Sequence, residues 1–248
     1  ITLLGQNVNS YRYDAGGGAC LDFPGLLQRV IGALRTRMWL RFLTSHPKDL
    51  SERLVALMAA EQALCRHIHL PVQHGSDRVL AAMGRGYTGA QYRGLVERIR
   101  KSIPGVSITT DILIGFPGES EEDFRLTLDL VREIEFDEAF TYRYNPREGT
   151  RAFSLPDAVP EGEKLSRLDE LIRLQRAITR RRKQARLGQV VEVLIEAPAR
   201  RAREGEPELL ARTQGDETVV LRASAGRVGS FATVRLVSLD GNTYRGEE

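Results

Sequence analysis

Five short segments of the 248-residue chain concentrate the side chains that could do chemistry, and each follows an apolar run. They read Gln6-Asn7-Val8-Asn9, Thr44-Ser45-His46-Pro47, Gln73-His74-Gly75-Ser76-Asp77, Gly115-Phe116-Pro117-Gly118-Glu119 and Arg143-Tyr144-Asn145-Pro146. Amides and hydroxyls of this kind bind polar, zwitterionic or ribose-bearing molecules through neutral hydrogen bonds, and Gly and Pro let the backbone turn sharply beside a ligand. A single segment of this type is what any turn requires. Five at equivalent places suggest groups converging on one cavity, because reactive groups of parallel α/β folds gather where strands end. Asp111 adds an acid inside an apolar run, and an acid in such a place needs a partner.

The remaining reactive residue types argue for less. His46, His67, His69 and His74 lack a third ligand at recognisable metal spacing, so they read as turn or core histidines. Cys20 and Cys65 are too few for a disulfide framework and have no metal-binding spacing, which leads us to expect a reducing, cytoplasmic setting. Neither has a histidine pattern that would mark a nucleophile. The run Gly16-Gly17-Gly18 lacks the Lys-Ser/Thr sequel of a phosphate loop and reads as a mobile loop ahead of Cys20.

The elements that must position these groups are legible from periodicity. Apolar runs over residues 1–6, 38–44, 67–72, 107–115 and 138–144 alternate with amphipathic stretches, the pattern of an α/β parallel sheet with covering helices. Helix starts are announced by Asp22 with Pro24, by Ser51, by Thr88 with Gln91, and by Ser120 with Asp123. A Pro- and Gly-containing linker near residues 155–162 precedes a long helix over residues 163–186, with an expected apolar face of Leu165, Leu168, Ile172, Leu174 and Ile178. Its last turns carry Arg180, Arg181, Arg182, Lys183 and Arg186, which suit the negative end of a helix dipole as well as they suit a phosphate backbone. Short alternating segments after Gly188 predict a small all-β barrel or sandwich, with Arg200, Arg201 and Arg203 in a loop. The expected division is therefore residues 1–155, 156–187 and 188–248.

A net charge of +3 and a pI near 9.0 permit a nucleic-acid partner without requiring one. Apolar stretches are broken by Arg, Asp or Gly well short of bilayer length, so no membrane-spanning helix is expected. The opening residues read as the middle of a strand, as in a piece of a longer protein.

On the segments Leu3-Leu4-Gly5-Gln6-Asn7-Val8-Asn9-Ser10-Tyr11, Thr44-Ser45-His46-Pro47, His69-Leu70-Pro71-Val72-Gln73-His74-Gly75-Ser76-Asp77 and Ile114-Gly115-Phe116-Pro117-Gly118-Glu119, taken in order, the chain resembles the MiaB-type radical SAM tRNA methylthiotransferases. The final segment is similar to the RNA-binding TRAM barrel that closes those proteins. The resemblance implies a partial (β/α) barrel of six strands, of which the first is not represented here. It implies a [4Fe–4S] cluster held by three cysteines, which reduces S-adenosyl-L-methionine (AdoMet) to a radical that abstracts hydrogen from a purine carbon beside the tRNA anticodon. It further implies a second cluster in an amino-terminal domain, a second AdoMet as methyl donor, and a reductant protein. Carried over by position, Gln6 and Asn7 would face the methionine part of AdoMet. Gln73 and Ser76 would lie near its ribose, and Asp111, Gly115 and Glu119 would shape its adenine side. Tyr144 and Asn145 would line the nucleotide entrance, and Arg180, Arg181, Arg182 and Lys183 would grip tRNA. The cluster cysteines are not in this sequence, so the chain, expected to be a monomer, should be inactive by itself. Two alternatives remain open: a non-catalytic tRNA-binding module, and an iron-free (β/α) barrel enzyme using Asp111, His46 or His74 as acid or base.

Overall fold

The computed structural model describes residues 1–14, 16, 20–43, 45–156, 158–199 and 207–248. Gly17, Gly18, Thr44, Arg200, Arg201 and Arg203 lie outside the described residues. Strand β1 (Thr2–Leu4) is followed by a hairpin of β2 (Arg12–Asp14) and β3 (Cys20–Asp22), then α1 (Phe23–Ala33), β4 (Arg41–Leu43), α2 (Glu52–Ala60) and β5 (His67–His69). Next come α3 (Asp77–Ala82), α4 (Gly89–Ser102), β6 (Ser107–Ile114), α5 (Glu121–Ile134) and β7 (Glu138–Arg143).

β1 pairs in parallel with β4, and β5, β6 and β7 pair in parallel in that order. The two groups join where Leu40 bridges Leu64 and where the Ser45 amide donates to the His69 carbonyl at 3.1 Å. The five expected parallel strands therefore run side by side as a curved half barrel. Alternation sends Phe42, Ile68, Ile108, Ile112 and Ile114 into the helix-covered core. The opposite set, including Leu43, His69, Asp111, Phe140 and Tyr142, faces the concave side.

The helix starts follow their caps. Asp22 accepts from the Gly25 amide, Ser51 from Leu54, and both capping boxes, Thr88 with Gln91 and Ser120 with Asp123, are closed in both directions. Two expectations need correction, while strands β2 and β3 on either side of the glycine run pair antiparallel, Asp14 beside Cys20. A short helix, α3, grows directly from the third exit because Ser76 caps the Val79 amide. The long helix α6 (Glu161–Gln184) starts two residues earlier than expected, and of its expected apolar face Ile178 is buried, Leu168, Ile172 and Leu174 are half-buried and Leu165 is exposed.

The buried face of α6 is mostly polar. Lys164, Arg167, Leu171, Gln175, Ile178, Thr179 and Lys183 are buried, while Leu165 is 51% exposed. The physical reason is that α6 lies over unpaired backbone as well as apolar surface. Gln175 Nε2 donates to the Phe136 carbonyl at 2.8 Å, and Thr179 Oγ1 donates to the Asp137 carbonyl at 2.8 Å. Polar side chains that satisfy buried carbonyls are thereby favoured on the inward face beside Leu171 and Ile178.

After α6 the strands β8 (Val190–Pro198), β9 (Glu208–Thr213), β10 (Thr218–Arg222), β11 (Phe231–Asp240) and β12 (Thr243–Glu247) close into a barrel in the order β10-β12-β11-β8-β9. It has its own core of Val193, Ile195, Leu209, Val219, Leu236 and Tyr244. The barrel docks under the starting ends of the sheet strands. Arg41 Nη2 donates to the Thr213 carbonyl at 3.2 Å, Gln214 Nε2 to the Gln62 carbonyl at 3.1 Å, and Trp39 meets Phe231 edge-on at 5.0 Å.

Two glycines test how tightly the exits are packed. A Cβ at Gly75 would sit 2.4 Å from the Leu126 carbonyl oxygen and 2.5 Å from Thr127 Cα, whereas a Cβ at Gly32 inside α1 meets nothing within 4 Å. Gly75→Ala should destabilise the chain by about 1–3 kcal/mol through overpacking. Gly32→Ala should stabilise it by about 0.5–1 kcal/mol through helix propensity. Urea denaturation of the two variants should move the midpoint in opposite directions.

Candidate functional site

The parallel sheet brings all five polar exits to one edge, but the seven proposed cofactor-binding residues divide by environment once there. Gln6 is exposed, directly beyond β1. Asn7 is half-buried and clamps the second exit: its Nδ2 donates to Asp49 Oδ2 at 2.6 Å, and its Oδ1 accepts from the His46 amide at 3.3 Å. Beside it, Asn9 Oδ1 accepts from Ser45 Oγ at 3.5 Å, while its buried Nδ2 has no partner among the described residues. Gln73 is half-buried with a backbone φ of 66°, a left-handed conformation uncommon for a non-glycine residue. Its backbone is held from both sides, donating to Asp111 O and accepting from the Leu113 amide, each at 2.8 Å.

Ser76, Gly115 and Glu119 are packed into the rim rather than open to a ligand. Ser76 Oγ donates to Asp123 Oδ1 at 2.5 Å and is buried. Asp123 is desolvated, yet hydrogen bonds from Arg78, Ser76 and Ser120 hold its carboxyl well below the usual carboxylate range. Gly115 has φ 76°, and a Cβ there would lie 2.4 Å from Lys164 Cγ, so the aliphatic stem of Lys164 occupies that space. The Lys164 ammonium reaches the Tyr144 carbonyl at 3.4 Å and lies 5.7 Å above the Tyr144 ring. The Tyr144 hydroxyl is buried without a partner among the described residues, and Asn145 is exposed.

Glu119 is fully enclosed and ties three segments together. Its Oε2 accepts from the Gly115 amide at 2.6 Å and the Phe116 amide at 3.3 Å, and its Oε1 accepts from Arg167 Nη1 at 2.8 Å. His74 is equally enclosed. The Ser76 amide donates to its Nδ1 at 3.0 Å, which leaves the proton on Nε2 to donate to Glu119 Oε2 at 3.2 Å. His74 is the buried histidine its sequence context suggested, and Arg167 is the residue that sequence reasoning missed. The signal that could have found Arg167 is the uncompensated Glu119 itself, which no neighbour in sequence can neutralise.

Asp111 lies apart from this network, on the concave face, and its partner is His69: Asp111 Oδ2 is 3.4 Å from His69 Nε2. His69 Nδ1 lies 3.0 Å from Thr109 Oγ1, which is also 3.0 Å from His67 Nε2. Burial pushes the His67 imidazole down to about 4.

The basic end of α6 is largely committed to the chain itself. Arg181 pairs with Glu135, and Arg182 with Asp137 at 2.9 Å. Lys183, only 6% exposed, reaches Glu138 at 3.4 Å and the Asn242 carbonyl at 2.7 Å. Arg180 is exposed and makes no ion pair among the described residues.

Two outcomes follow from these burials. Arg167→Met should cost about 3–5 kcal/mol, because it strands an enclosed carboxylate, and adding Glu119→Gln should recover part of that loss; chemical denaturation reads both. His67 is neutral when folded and accepts a proton readily when unfolded. Its contribution is therefore complete above pH about 6.5 and is lost as pH falls toward about 4, by up to about 3 kcal/mol. His67→Gln should flatten the stability–pH curve across that window.

Comparison with known proteins accords with this architecture. The radical SAM superfamily profile matches residues 14–131. Proteins called tRNA-2-methylthio-N(6)-dimethylallyladenosine synthase are similar throughout the chain: that of Treponema denticola is 48% identical over 99% of this chain and 55% of its own length. The proteins of Moorella thermoacetica and Porphyromonas gingivalis are 43% and 44% identical over 100% of this chain, and 54% and 52% of their own lengths. The chain thus spans about half the length of the curated relatives it matches. Among solved structures, coproporphyrinogen III oxidase of Escherichia coli, described as a radical SAM enzyme, superposes with a TM-score of 0.51 at 19% identity, covering 62% of this chain and 37% of its own. Over residues 14–131 the chain thus matches the radical SAM superfamily profile, and along its entire length it is similar to these synthases.

Proposed function

We propose that this chain is the AdoMet-binding half barrel, connecting helix and RNA-facing barrel of an enzyme that adds a methylthio group to a modified adenosine beside the tRNA anticodon. The observation that carries the reading is the convergence of polar exits on one rim in a chain 48% identical to such a synthase over 99% of its length. On this reading the three parts are residues 1–155, 156–187 and 188–248, and the closed five-strand barrel is the TRAM-like domain. The working protein would be a cytoplasmic monomer served by a reductant protein.

The donor set fits AdoMet. Exposed Gln6, half-buried Asn7 and Gln73, and the Asn9 amide and Tyr144 hydroxyl that have no partner among the described residues offer neutral hydrogen bonds suited to a zwitterion and a ribose. Ser76, Gly115 and Glu119 support that rim from behind: Glu119 fixes two successive backbone amides, and Ser76 braces Asp123 at the start of α5. AdoMet bound there would supply the radical precursor. The residues do not fit an iron–sulfur cluster. Cys20 is exposed on the hairpin, Cys65 is buried with its thiol pushed up by desolvation, and no three His, Cys, Asp or Glu side chains among the described residues could hold a metal ion. On this reading the cluster thiolates come from sequence outside these 248 residues.

For RNA, Arg180 and Arg176, four residues apart on α6, are exposed and make no ion pair among the described residues, whereas Arg181, Arg182 and Lys183 already neutralise acids of this chain. Arg180 therefore carries most of the phosphate contact expected of the basic cluster.

The 248-residue chain should remain colourless when treated anaerobically with iron and sulfide, whereas the product of the reading frame that encodes it should turn brown, cleave AdoMet on reduction and yield methylthioadenosine in tRNA by mass spectrometry. A coloured cluster on this chain alone, or a competent whole protein that leaves tRNA unmodified, would sink the reading. The Arg176→Ala, Arg180→Ala double variant should also flatten the dependence of log affinity on log salt by about 1–2 units.

A further inference from the structure

The turn that joins β9 to β10 belongs to the C-terminal barrel but ends against the half barrel. Its shape is set by its own hydrogen bonds: the Asp216 amide donates to the Thr213 carbonyl at 3.1 Å, the Thr213 amide to the Glu217 carbonyl at 3.0 Å, and the Thr213 hydroxyl to Glu217 Oε2 at 3.0 Å. Asp216 has a φ of 69°, left-handed backbone that aspartate tolerates better than most side chains. This firm wedge meets the starting ends of three neighbouring strands. Arg41, which opens β4, donates to the Thr213 carbonyl at 3.2 Å and the Gln214 carbonyl at 3.4 Å, and its Nη1 lies 3.3 Å from Asp216 Oδ1. Gln214 Nε2 reaches the Gln62 carbonyl, ahead of β5, at 3.1 Å. A Cβ on Gly215 would stand 3.4 Å from the Cβ of Ser107, the first residue of β6.

Burial makes Arg41 the dominant link. Its side chain is 10% exposed, whereas Arg37, whose pair with Glu192 also crosses to the barrel, is 61% exposed. An exposed pair contributes at most about 1 kcal/mol, while a shielded guanidinium that answers two carbonyls and a carboxylate cannot be removed without leaving those groups short of a partner. Two cavities meet at the same wedge. One, on the concave face of the half barrel, holds about 300 Å³, and the other, between the turn and the end of α6, about 430 Å³. Thr109, Glu138 and Asp216 line both, so the turn is the partition between them. Its withdrawal would open the concave cavity from below through the larger space.

We propose that the β9–β10 turn is the floor of the half barrel and that Arg41 is a positioning residue, holding the RNA-facing barrel at the height from which RNA bound to it is aligned with the half barrel. Arg41 stands at the edge of the sheet opposite the exit rim where AdoMet is expected, so it acts through the barrel and not on the cofactor. Without its fork the barrel keeps its hold on α6, where Lys183 meets the Asn242 carbonyl and Arg186 meets Glu217. It gains freedom to pivot about residues 185–189, where Gly188 has a φ of 85°. The inference rests on the RNA-modifying reading above and adds to it a residue that governs turnover without gripping RNA.

Trp39, the only tryptophan of the chain, reports on the contact: it is 6% exposed and packs edge-on against Phe231 of the barrel. In the 248-residue chain, Arg41→Met should make Trp39 several times more easily quenched by acrylamide, with the circular dichroism spectrum unchanged. In the whole protein the same variant should lower kcat for methylthio transfer to tRNA about tenfold and leave tRNA affinity within about twofold, because misalignment is felt at the reacting atoms and not in the grip. Arg41→Lys, which keeps the charge and part of the donor set, should fall between. The double variant Gln214→Ala, Asp216→Asn loosens the contact from the barrel side, with asparagine at ease in left-handed backbone, and should give the same split even if Arg41→Met does not fold. Trp39 shielded as before in both variants, an unchanged kcat, or a loss confined to tRNA affinity would overturn the proposal. If the unsubstituted whole protein leaves tRNA unmodified, the enzymatic reading fails and takes the positioning role with it, whereas Trp39 quenching decides independently whether Arg41 anchors the barrel.

Discussion

An ionised carboxylate enclosed by protein is tolerable only when every lone pair is answered, and Glu119 meets that condition with partners drawn from three separate segments. Two are backbone amides of its own turn, one is the imidazole of His74 from the preceding exit, and one is the Arg167 guanidinium of α6. The turn over residues 115–119 cannot take its shape without Arg167, and Arg167 has no reason to be buried without the turn. This mutual requirement places the start of α6 against the exit edge of the sheet.

From that anchor the rest of the connection follows by length. Arg167 and Lys183 are sixteen residues apart on one helix, a span of about 24 Å. The helix therefore reaches from the exit edge, past the Phe136 and Asp137 carbonyls capped by Gln175 and Thr179, to the opposite edge, where Lys183 meets Glu138 and the Asn242 carbonyl of the barrel. Its buried polar face works as a strut between the exit rim and the C-terminal barrel. The same commitment removes most of the basic cluster from the surface available to a phosphate backbone. Charge visible in a sequence is charge available to a partner only where no acid of the fold has already claimed it.

Much was legible without coordinates where the governing forces are local. Strand and helix order, the caps at Asp22, Ser51, Thr88 and Ser120, and the change of texture after Gly188 all depend on residues within a turn or two of one another. The rule that parallel strands present their exits on one side was enough to gather Gln6, Asn7, Gln73 and Gly115 at a common rim. Asp111 was recognisable as needing a partner, though not which one.

The order of elements, the existence of a shared rim and the shortage of cluster-binding cysteines are properties of the chain as written, because periodicity, capping and composition act over a few residues. The tertiary structure alone decided that Ser76 and Glu119 brace the rim from inside, that α6 turns Lys164 and Arg167 inward in place of Leu165, and that Asp111 belongs to a concave cavity with His69. Those outcomes depend on desolvation and on hydrogen-bond partners about 40 to 50 residues away. Which groups lose their water is settled only when separate segments close over them.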